Sequence, residues 1–90
     1  MALKFKASET FWKRFYDLPP EKKELIREKW KIFKENPFDP RLGTHTINRL
    51  TSIVGRSVFA VAIDGNLRVT FSRDGDVIYT ITIGTHDIYK

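Results

Sequence analysis

The sequence of 90 residues contains no cysteine, a single methionine and no long apolar run. The absence of cysteine excludes disulfide bonds and thiolate metal ligands. No segment approaches the ~18 consecutive apolar residues that a membrane-spanning helix needs. The N-terminal stretch also lacks the apolar centre of a signal peptide, because charges interrupt MALKFKASETFWKRF. We therefore expect a cytoplasmic protein that has no membrane contact.

The chain is equally short of the common catalytic and cofactor-binding motifs. It has two histidines, and no carboxylates stand at the spacing that a zinc site would need. The glycines lie in turn-like positions, so neither a glycine-rich phosphate loop nor a Gly-x-Ser-x-Gly elbow is present. We expect no metal and no cofactor. A serine, histidine and acid brought together by the fold stay open as an alternative.

Charge and aromatic content are what the chain does offer. The net charge is +5 and twelve residues are aromatic, namely seven Phe, three Tyr and two Trp. Aromatic side chains fill a small core efficiently, and this length predicts a single domain that spans residues 1–90. A small basic domain favours an anionic partner, either nucleic acid or an acidic protein segment. Solubility alone is the plainer explanation of the charge.

The first half of the chain has helical periodicity. Residues 3–8 alternate as a short strand, after which Ser8 or Thr10 can cap a helix. Two helices are predicted, over residues 11–18 and 20–36, because the prolines at 19, 20 and 37 separate and end them. Their apolar stripes consist of Phe11, Phe15 and Leu18 in the first helix and Ile26, Trp30 and Phe33 in the second.

After residue 44 the apolar period shortens from about 3.6 residues to about 2. Strands are predicted at residues 45–50, 57–63, 67–72 and 76–83. Asp64-Gly65-Asn66 and Asp74-Gly75 are tight-turn signals, so the last three strands form an antiparallel meander. The predicted fold class is α+β, with two N-terminal helices packed on one face of a small, twisted, mainly antiparallel sheet.

Candidate functional residues lie in and after these strands. In LRVTFS, Leu67, Val69 and Phe71 take one face, whereas Arg68, Thr70 and Ser72 take the other. That polar face is either an ordinary solvent-facing surface or an open, basic surface that meets a ligand. His45 begins the first strand of this half, and His86 and Tyr89 follow the last strand. Each of the three is a polar surface residue, a terminal cap or part of a site.

Three segments together resemble a known group of proteins: ENPFDPRLGTH, the hairpin centred on LRVTF, and DGDVIYTITIGTHD. The combination resembles the RelE/ParE toxin superfamily of bacterial type II toxin–antitoxin modules. It is most similar to the RelE/YafQ-like mRNA interferase branch, whose last strand runs into Gly-Thr-His-Asp and a tyrosine. The likeness covers nearly the whole chain, and the last-strand segment is its most specific part.

The resemblance implies a RelE-like fold and a toxin that cleaves messenger RNA, usually on the ribosome. It gives Arg68 a contact to the scissile phosphate and makes His86 and His45 a proton donor or acceptor. Tyr89 would stack on the RNA or position it. The remaining basic residues expected to bind RNA are Arg49, Arg56, Arg73 and Lys90.

These residue types suit RNA cleavage without a metal. A base activates the 2′-hydroxyl, which attacks the adjacent phosphate, and an acid protonates the leaving 5′-oxygen. Histidine can do both because its unperturbed pKa is ~6.5. An arginine stabilises the charge that grows on the phosphorane oxygens, and removal of one such donor elsewhere costs about 3 kcal/mol. Aromatic rings stack on splayed bases, and basic side chains contact phosphates.

Two departures from the family pattern keep other functions open. Members often carry a further arginine in the strand before the central one, where this chain has Ala62, and the HDIY tail is one residue shorter. One alternative is a ParE-like toxin that inhibits DNA gyrase without cutting RNA. The other is a degenerate, non-catalytic member that only binds its antitoxin.

An antitoxin is the partner common to all three functions. An acidic or amphipathic antitoxin segment is expected over the helices at 11–18 and 20–36 and the sheet edge. Messenger RNA and the ribosome are the other expected partners, with operator DNA reached through the antitoxin complex.

Overall fold

A computed structural model describes residues 3–47 and 57–85. The elements are β1 (Lys4–Ala7), α1 (Glu9–Tyr16), α2 (Pro20–Glu35), a 3₁₀ turn (Pro40–Leu42), β2 (His45–Thr46), β3 (Val58–Ala62), β4 (Leu67–Asp74) and β5 (Val77–Thr85). The five strands form one sheet in the order β1-β5-β4-β3-β2. The predicted α+β architecture is confirmed, although residues 48–50 of the first predicted strand lie outside the described ranges.

Both predicted helices are present, with α2 close to its predicted bounds, whereas α1 begins and ends two residues earlier than the predicted 11–18. Ser8 caps α1, since its hydroxyl accepts a hydrogen bond of 3.0 Å from the Phe11 N–H; Thr10 lies inside the helix. Pro20 occupies the first turn of α2, where its missing N–H costs nothing. Asn36, the residue before Pro37, has extended backbone angles and ends α2.

The sheet is antiparallel except at one edge. β3, β4 and β5 form the predicted meander, with Gly75 adopting a φ of 62° in the turn between β4 and β5. This positive φ is readily available only to glycine. β1 pairs with β5 in parallel. Parallel strands cannot be joined by a tight hairpin, and here the chain between them contains both helices and the other three strands.

The main core lies between the helices and one face of the sheet, here called the helix face. Phe71 in the central strand is fully buried, and its ring contacts those of Phe33 and Phe59 at centroid distances of 4.9 and 5.3 Å. The buried part of this core consists of Phe11, Phe15, Ile26, Phe33, Leu42, Val61, Ile63, Val69, Phe71, Ile78 and Ile83. Four of the six predicted stripe residues are thus confirmed as buried. Trp30 stays 38% exposed, and Leu18 lies beyond the end of α1 and is half-buried.

The opposite side of the sheet, here called the outer face, carries small and polar residues. It includes His45 of β2, Val58, Ala60 and Ala62 of β3, Arg68, Thr70 and Ser72 of β4, and Tyr79, Thr82 and Gly84 of β5. A second small apolar cluster lies here, made of Ile47, Val58 and Ala60 with Ile81 packed against it.

The prediction that this polar face is open is wrong at its centre. Thr70 and Ser72 are only 1% and 3% exposed. The Thr70 hydroxyl is satisfied inside the sheet, where it donates to the Thr82 carbonyl at 3.3 Å. Alternation reports which side of a strand a residue takes, but not whether that side is covered. Arg68 and Ala62, at one end of the face, are half-buried.

In the described part of the chain, neither helix has the length and apolar character needed to cross a membrane.

Candidate functional site

Arg68 lies in the central strand of the sheet, next to residues that leave space around it. In the register of the sheet it faces Ala62 of β3 on one side and Gly84 of β5 on the other. Both neighbours have little or no side chain, so neither of them places a bulky group beside the guanidinium. Ala62 is thus directly opposite Arg68, at the position where the resembling family often has a second arginine.

The guanidinium of Arg68 is held by the chain itself. Its Nη1 atom donates a close hydrogen bond to the Asp64 carbonyl and another of 3.1 Å to the Leu67 carbonyl. Within residues 3–47 and 57–85, Nη2 and Nε have no hydrogen-bond partner. Arginine has five N–H donors and stays cationic, so three of them are unpaired within those residues and suit an anion.

His45 shares the outer face with Arg68 but lies near its edge. It pairs with Ala60, which in turn pairs with Thr70, so the three belong to one row across the sheet. Strand spacing and rise per residue then separate the Cα atoms of His45 and Arg68 by about 12 Å. The exposed imidazole has Nδ1 at 3.2 Å from the Gly43 carbonyl oxygen. The backbones of His45 and Arg68 are therefore too far apart to be neighbours, and a ligand that contacts both side chains would lie between them.

A bulge in β5 places Thr82 and Gly84, near the end of that strand, on the same face of the sheet as Arg68. Thr70 pairs with Thr82 but Phe71 pairs with Thr80, so Ile81 is the extra residue. The bulge reverses the alternation, and as a result Thr82 and Gly84 lie on the outer face although Ile78 and Thr80 lie on the helix face. Bulges often re-aim side chains in this manner next to functional sites.

The bulge is fixed from a distant part of the chain by Ser8. The Ser8 N–H donates to the Thr80 carbonyl at 2.9 Å, and the Ser8 hydroxyl donates to the Ile81 carbonyl. The residue that caps α1 therefore also holds the strand distortion that sets the end of β5 against Arg68.

Most of the remaining predicted site residues lie outside the described ranges: His86, Tyr89, Arg49, Arg56 and Lys90. Arg73 is described, and the structure does not bring it to Arg68. It lies on the helix face, where its guanidinium is 5.9 Å from the Phe38 ring centroid and its Nε donates to the Gly75 carbonyl at 3.0 Å. Arg73 as an RNA contact beside Arg68 stays a prediction without geometric support.

Two residues near Arg68 were not singled out for a site by the sequence. Asp64 forms the turn that precedes it, and Lys22 of α2 forms an ion pair with the Asp64 carboxylate. Hydrogen bonds from Lys22 and from the N–H groups of Leu67 and Asn66 lower the pKa of Asp64 well below its ordinary value. The signal available in the sequence was the Asp-Gly-Asn turn directly before the arginine; Lys22 was hidden in a charged helix surface.

A groove of about 380 Å³ opens on the other side of the molecule, between α1, α2 and β1. Its walls are apolar, and Trp12 and Trp30 at its mouth are 46% and 38% exposed. Three cations line it as well, namely Lys6, Arg27 and Lys29. Exposed tryptophans beside an apolar groove are typical of a protein-binding surface.

Among the described residues, no group of three or more His, Asp or Glu side chains is placed to hold a metal ion.

The sequence matches no family model, and no curated protein matches it significantly. Solved structures do match. A chain of the archaeal RelE–RelB complex from Pyrococcus horikoshii superposes with a TM-score of 0.73 at 15% identity, covering 94% of this chain and 96% of that one. A copper-bound mutant toxin from Helicobacter pylori gives 0.64 at 16% identity, with 96% and 97% covered.

A conserved hypothetical protein from Helicobacter pylori gives a TM-score of 0.60 at 17% identity and covers 94% of this chain and 96% of its own. Each likeness spans nearly the full length of both chains, so the whole arrangement of helices and strands is shared. At identities of 15–17%, the likeness establishes a shared fold. The chain therefore has the RelE-like fold, which confirms at the level of the fold the resemblance seen in its sequence.

Proposed function

We propose that this chain is the toxin of a type II toxin–antitoxin module, and that it inhibits translation by cleaving messenger RNA, in association with the ribosome. The observation that carries the proposal is Arg68. It is a half-buried cation in the central strand, with one nitrogen anchored to carbonyl oxygens and its other donors unpaired among the described residues. A RelE-like fold supports the same assignment.

The proposed reaction uses the 2′-hydroxyl of the substrate as the nucleophile. A base removes its proton, the 2′-oxygen forms a bond to the adjacent phosphorus, and the bond from phosphorus to the 5′-oxygen breaks. An acid protonates that 5′-oxygen, so the products are a 2′,3′-cyclic phosphate and a free 5′-hydroxyl. Arg68 would stabilise the negative charge that develops on the equatorial oxygens. Electrostatic stabilisation of this kind is usually the largest single contribution to lowering the activation barrier.

The two histidines are the proposed proton carriers. His86 stands two residues after Gly84, the residue paired with Arg68, and it is the first choice for the group nearest the phosphate. His45 shares the face at its edge and is the second. Tyr89 is proposed to stack on a base, and Arg49, Arg56 and Lys90 to contact phosphates.

The test is growth arrest together with primer extension on messenger RNA after induction of the protein without an antitoxin. We expect the wild type to arrest growth and to leave new 5′ ends in messenger RNA. Arg68→Ala should lower cleavage by about 10²–10³-fold, in line with the loss of one charge-stabilising donor, and His86→Ala should also lower it strongly. Arg73→Ala is the matched control, because it removes an arginine of the same strand from the other face.

The outcomes separate the candidate functions. Full toxicity of both Arg68→Ala and His86→Ala would remove the proposed site. Growth arrest with intact messenger RNA, and inhibition of supercoiling by the pure protein, would instead favour a ParE-like action on DNA gyrase. Equal losses in Arg68→Ala and Arg73→Ala would point to general charge rather than to a specific contact.

A non-catalytic member is the second candidate, and Ala62 is the observation that favours it. Ala62 lies directly opposite Arg68, so the region has one cation where the resembling family often has two. Under this alternative the wild type is not toxic in a host without an antitoxin gene. Ala62→Arg should then raise RNA cleavage, because it adds a second cation within reach of the same phosphate.

The proposed antitoxin site is the groove between α1, α2 and β1. Its apolar walls, its exposed tryptophans and its lining cations suit an amphipathic segment that carries acidic residues. Arg27 illustrates both features, because its guanidinium lies 5.6 Å from the centroid of the Phe15 ring inside the groove. Operator DNA is proposed as a partner of the resulting complex rather than of this chain alone.

Titration calorimetry with the product of a directly adjacent gene tests the groove. Arg27→Glu should weaken binding by about tenfold or more, since it places a like charge against an acidic segment. Lys34→Glu is the matched control, an equal change of charge on α2 at a residue that does not line the groove. Equal weakening by both variants would place the antitoxin elsewhere on the helices.

A further inference from the structure

The turn between β3 and β4 is built around the carboxylate of Asp64. Its Oδ1 atom accepts hydrogen bonds of 2.8 Å from the Asn66 N–H and 2.6 Å from the Leu67 N–H. Aspartate commonly organises turns in this way, by binding backbone donors two and three residues ahead. The carboxylate therefore fixes the backbone from residue 64 to Leu67, the residue directly before Arg68.

The second carboxylate oxygen of Asp64 ties the turn to the helical layer. Oδ2 forms an ion pair with the ammonium group of Lys22, in the first turn of α2. The two side chains are 23% and 40% exposed, so the pair is partly shielded from solvent. These contacts favour the charged carboxylate, and they lower the pKa of Asp64 below its ordinary value.

The same turn supplies the atoms that hold Arg68. Nη1 donates to the carbonyl oxygens of Asp64 and Leu67, the two residues whose backbone the carboxylate fixes. The Leu67 carbonyl also accepts the Ile63 N–H at 2.9 Å, which closes the turn. An arginine side chain is long and loses much rotamer freedom on binding. A guanidinium that is already oriented loses less when an anion arrives.

We propose that Asp64, clamped by Lys22, is a positioning residue that orients the Arg68 guanidinium so that Nη2 and Nε face a phosphate. The inference rests on the proposed role of Arg68 in RNA cleavage. It adds two residues to the proposed site, namely Asp64 from the turn and Lys22 from α2, on the other side of the sheet. Neither contacts the RNA; both act through the carbonyl oxygens that hold Nη1.

Side-chain NMR of the isolated protein tests the orientation without any reaction. With ¹⁵N-labelled arginine, the wild type should give separate Nη1 proton signals for Arg68, because two hydrogen bonds hinder rotation of that group. Asp64→Ala and Lys22→Met should merge these signals, whereas the Arg73 signals stay unchanged. Asp64→Asn keeps an oxygen for the Asn66 and Leu67 N–H groups and should give an intermediate result, and Lys22→Arg should restore the wild-type spectrum.

Cleavage kinetics give the second measurement. Asp64→Ala should lower kcat by about tenfold or more while KM changes by less than about twofold, since a small misplacement of a catalytic group costs rate rather than binding. Lys22→Met, which should merge the Nη1 signals, should also lower kcat, whereas Lys22→Arg should keep both the spectrum and the kcat of the wild type. Partial unfolding would also lower the apparent kcat at constant KM, because fewer molecules are active. The folded fraction of each variant is therefore measured by circular dichroism under the assay conditions, and kcat is expressed per folded molecule.

Unchanged Arg68 signals in Asp64→Ala and Lys22→Met would overturn the inference, as would altered signals with unchanged kcat. If the wild type cuts no RNA, the proposed function fails, and the NMR comparison alone then decides whether the turn orients Arg68. The two failures are thus distinguishable.

Discussion

The two faces of the sheet are stabilised by different kinds of side chain. On the helix face, Phe71 is enclosed by aromatic rings from α2 and β3. On the outer face, the buried positions of the same strand are Thr70 and Ser72. Consecutive residues of one strand therefore serve a large apolar core on one side and a close-fitting polar surface on the other.

This difference separates stability from the proposed chemistry. The helix face excludes water over most of its area, so its large side chains supply most of the hydrophobic stabilisation. The outer face buries small groups and places its cation, Arg68, at one end beside Ala62 and Gly84. Substitutions on the helix face should act on the free energy of unfolding, whereas those around Arg68 should act on RNA cleavage.

Phe71→Ala should have the largest effect on stability. Phe71 is fully buried in the central strand, and loss of a buried phenylalanine costs about 3–5 kcal/mol through lost burial and the cavity that it leaves. Urea unfolding monitored by circular dichroism measures the loss. A cost of this size would remove much of the stability of a small domain.

Phe38→Ala is the matched control for Phe71. Its ring contacts that of Phe71 at a centroid distance of 5.9 Å, but Phe38 is 38% exposed. We expect it to cost less than half as much, since less area leaves water. Equal costs for the two variants would show that the helix face is not centred on Phe71.

Ser8→Ala should have the next largest effect on stability, because Ser8 both caps α1 and holds the bulge in β5. Loss of the α1 cap costs about 1 kcal/mol, and the Ile81 carbonyl at the bulge loses its donor as well. A total of about 1–2 kcal/mol in urea unfolding is expected. Faster amide hydrogen exchange in residues 80–84 should accompany it, because the bulge is less firmly held.

Thr10→Ala controls for helix propensity alone, because Thr10 is exposed inside the same first turn of α1. It should leave exchange in β5 unchanged. Unchanged exchange in Ser8→Ala as well would mean that the bulge is set by the sheet and not by Ser8.

The sequence was sufficient for the elements but not for how they combine. Alternation and turn residues located β3, β4 and β5, and the prolines located the boundary between the helices and the bounds of α2, because these signals depend on neighbouring residues only. The parallel pairing of β1 with β5 joins residues more than 70 positions apart, and no local pattern reports it. The same holds for the bulge at Ile81, whose hydrogen bond comes from Ser8.

The site was predictable in part for the same reason. Parity along β4 placed Arg68 opposite to Leu67, Val69 and Phe71, which the structure confirms. The same parity places Arg73 with Phe71 on the helix face, away from Arg68, whereas its charge alone predicts an RNA contact. The role of Lys22 could not be predicted, since its partner Asp64 is 42 residues away in the chain.

Asp39→Asn should have the smallest effect on stability. Asp39 anchors the 3₁₀ turn that places Leu42 in the helix-face core. Its carboxylate accepts hydrogen bonds of 2.9 and 3.0 Å from the backbone N–H and Nε of Arg41, and these bonds lower the pKa of Asp39 to about 2. A depressed carboxyl pKa stabilises the fold above the unfolded value of about 3.9 and loses that contribution as the pH falls towards 2. Asp39→Asn should therefore lower the urea midpoint slightly at pH 7, by an amount that shrinks below about pH 4, because exposed ion pairs contribute little.

RNA cleavage provides the contrast between the two acidic turn residues. Asp39→Asn should leave the rate unchanged, because its turn supports Leu42 in the helix-face core and does not contact Arg68. Asp64→Ala, in the turn that holds Arg68, should lower the rate even at a urea concentration where both variants are fully folded. A lowered rate in Asp39→Asn would mean that the two faces are coupled through the sheet, and the separation of stability from chemistry would no longer hold.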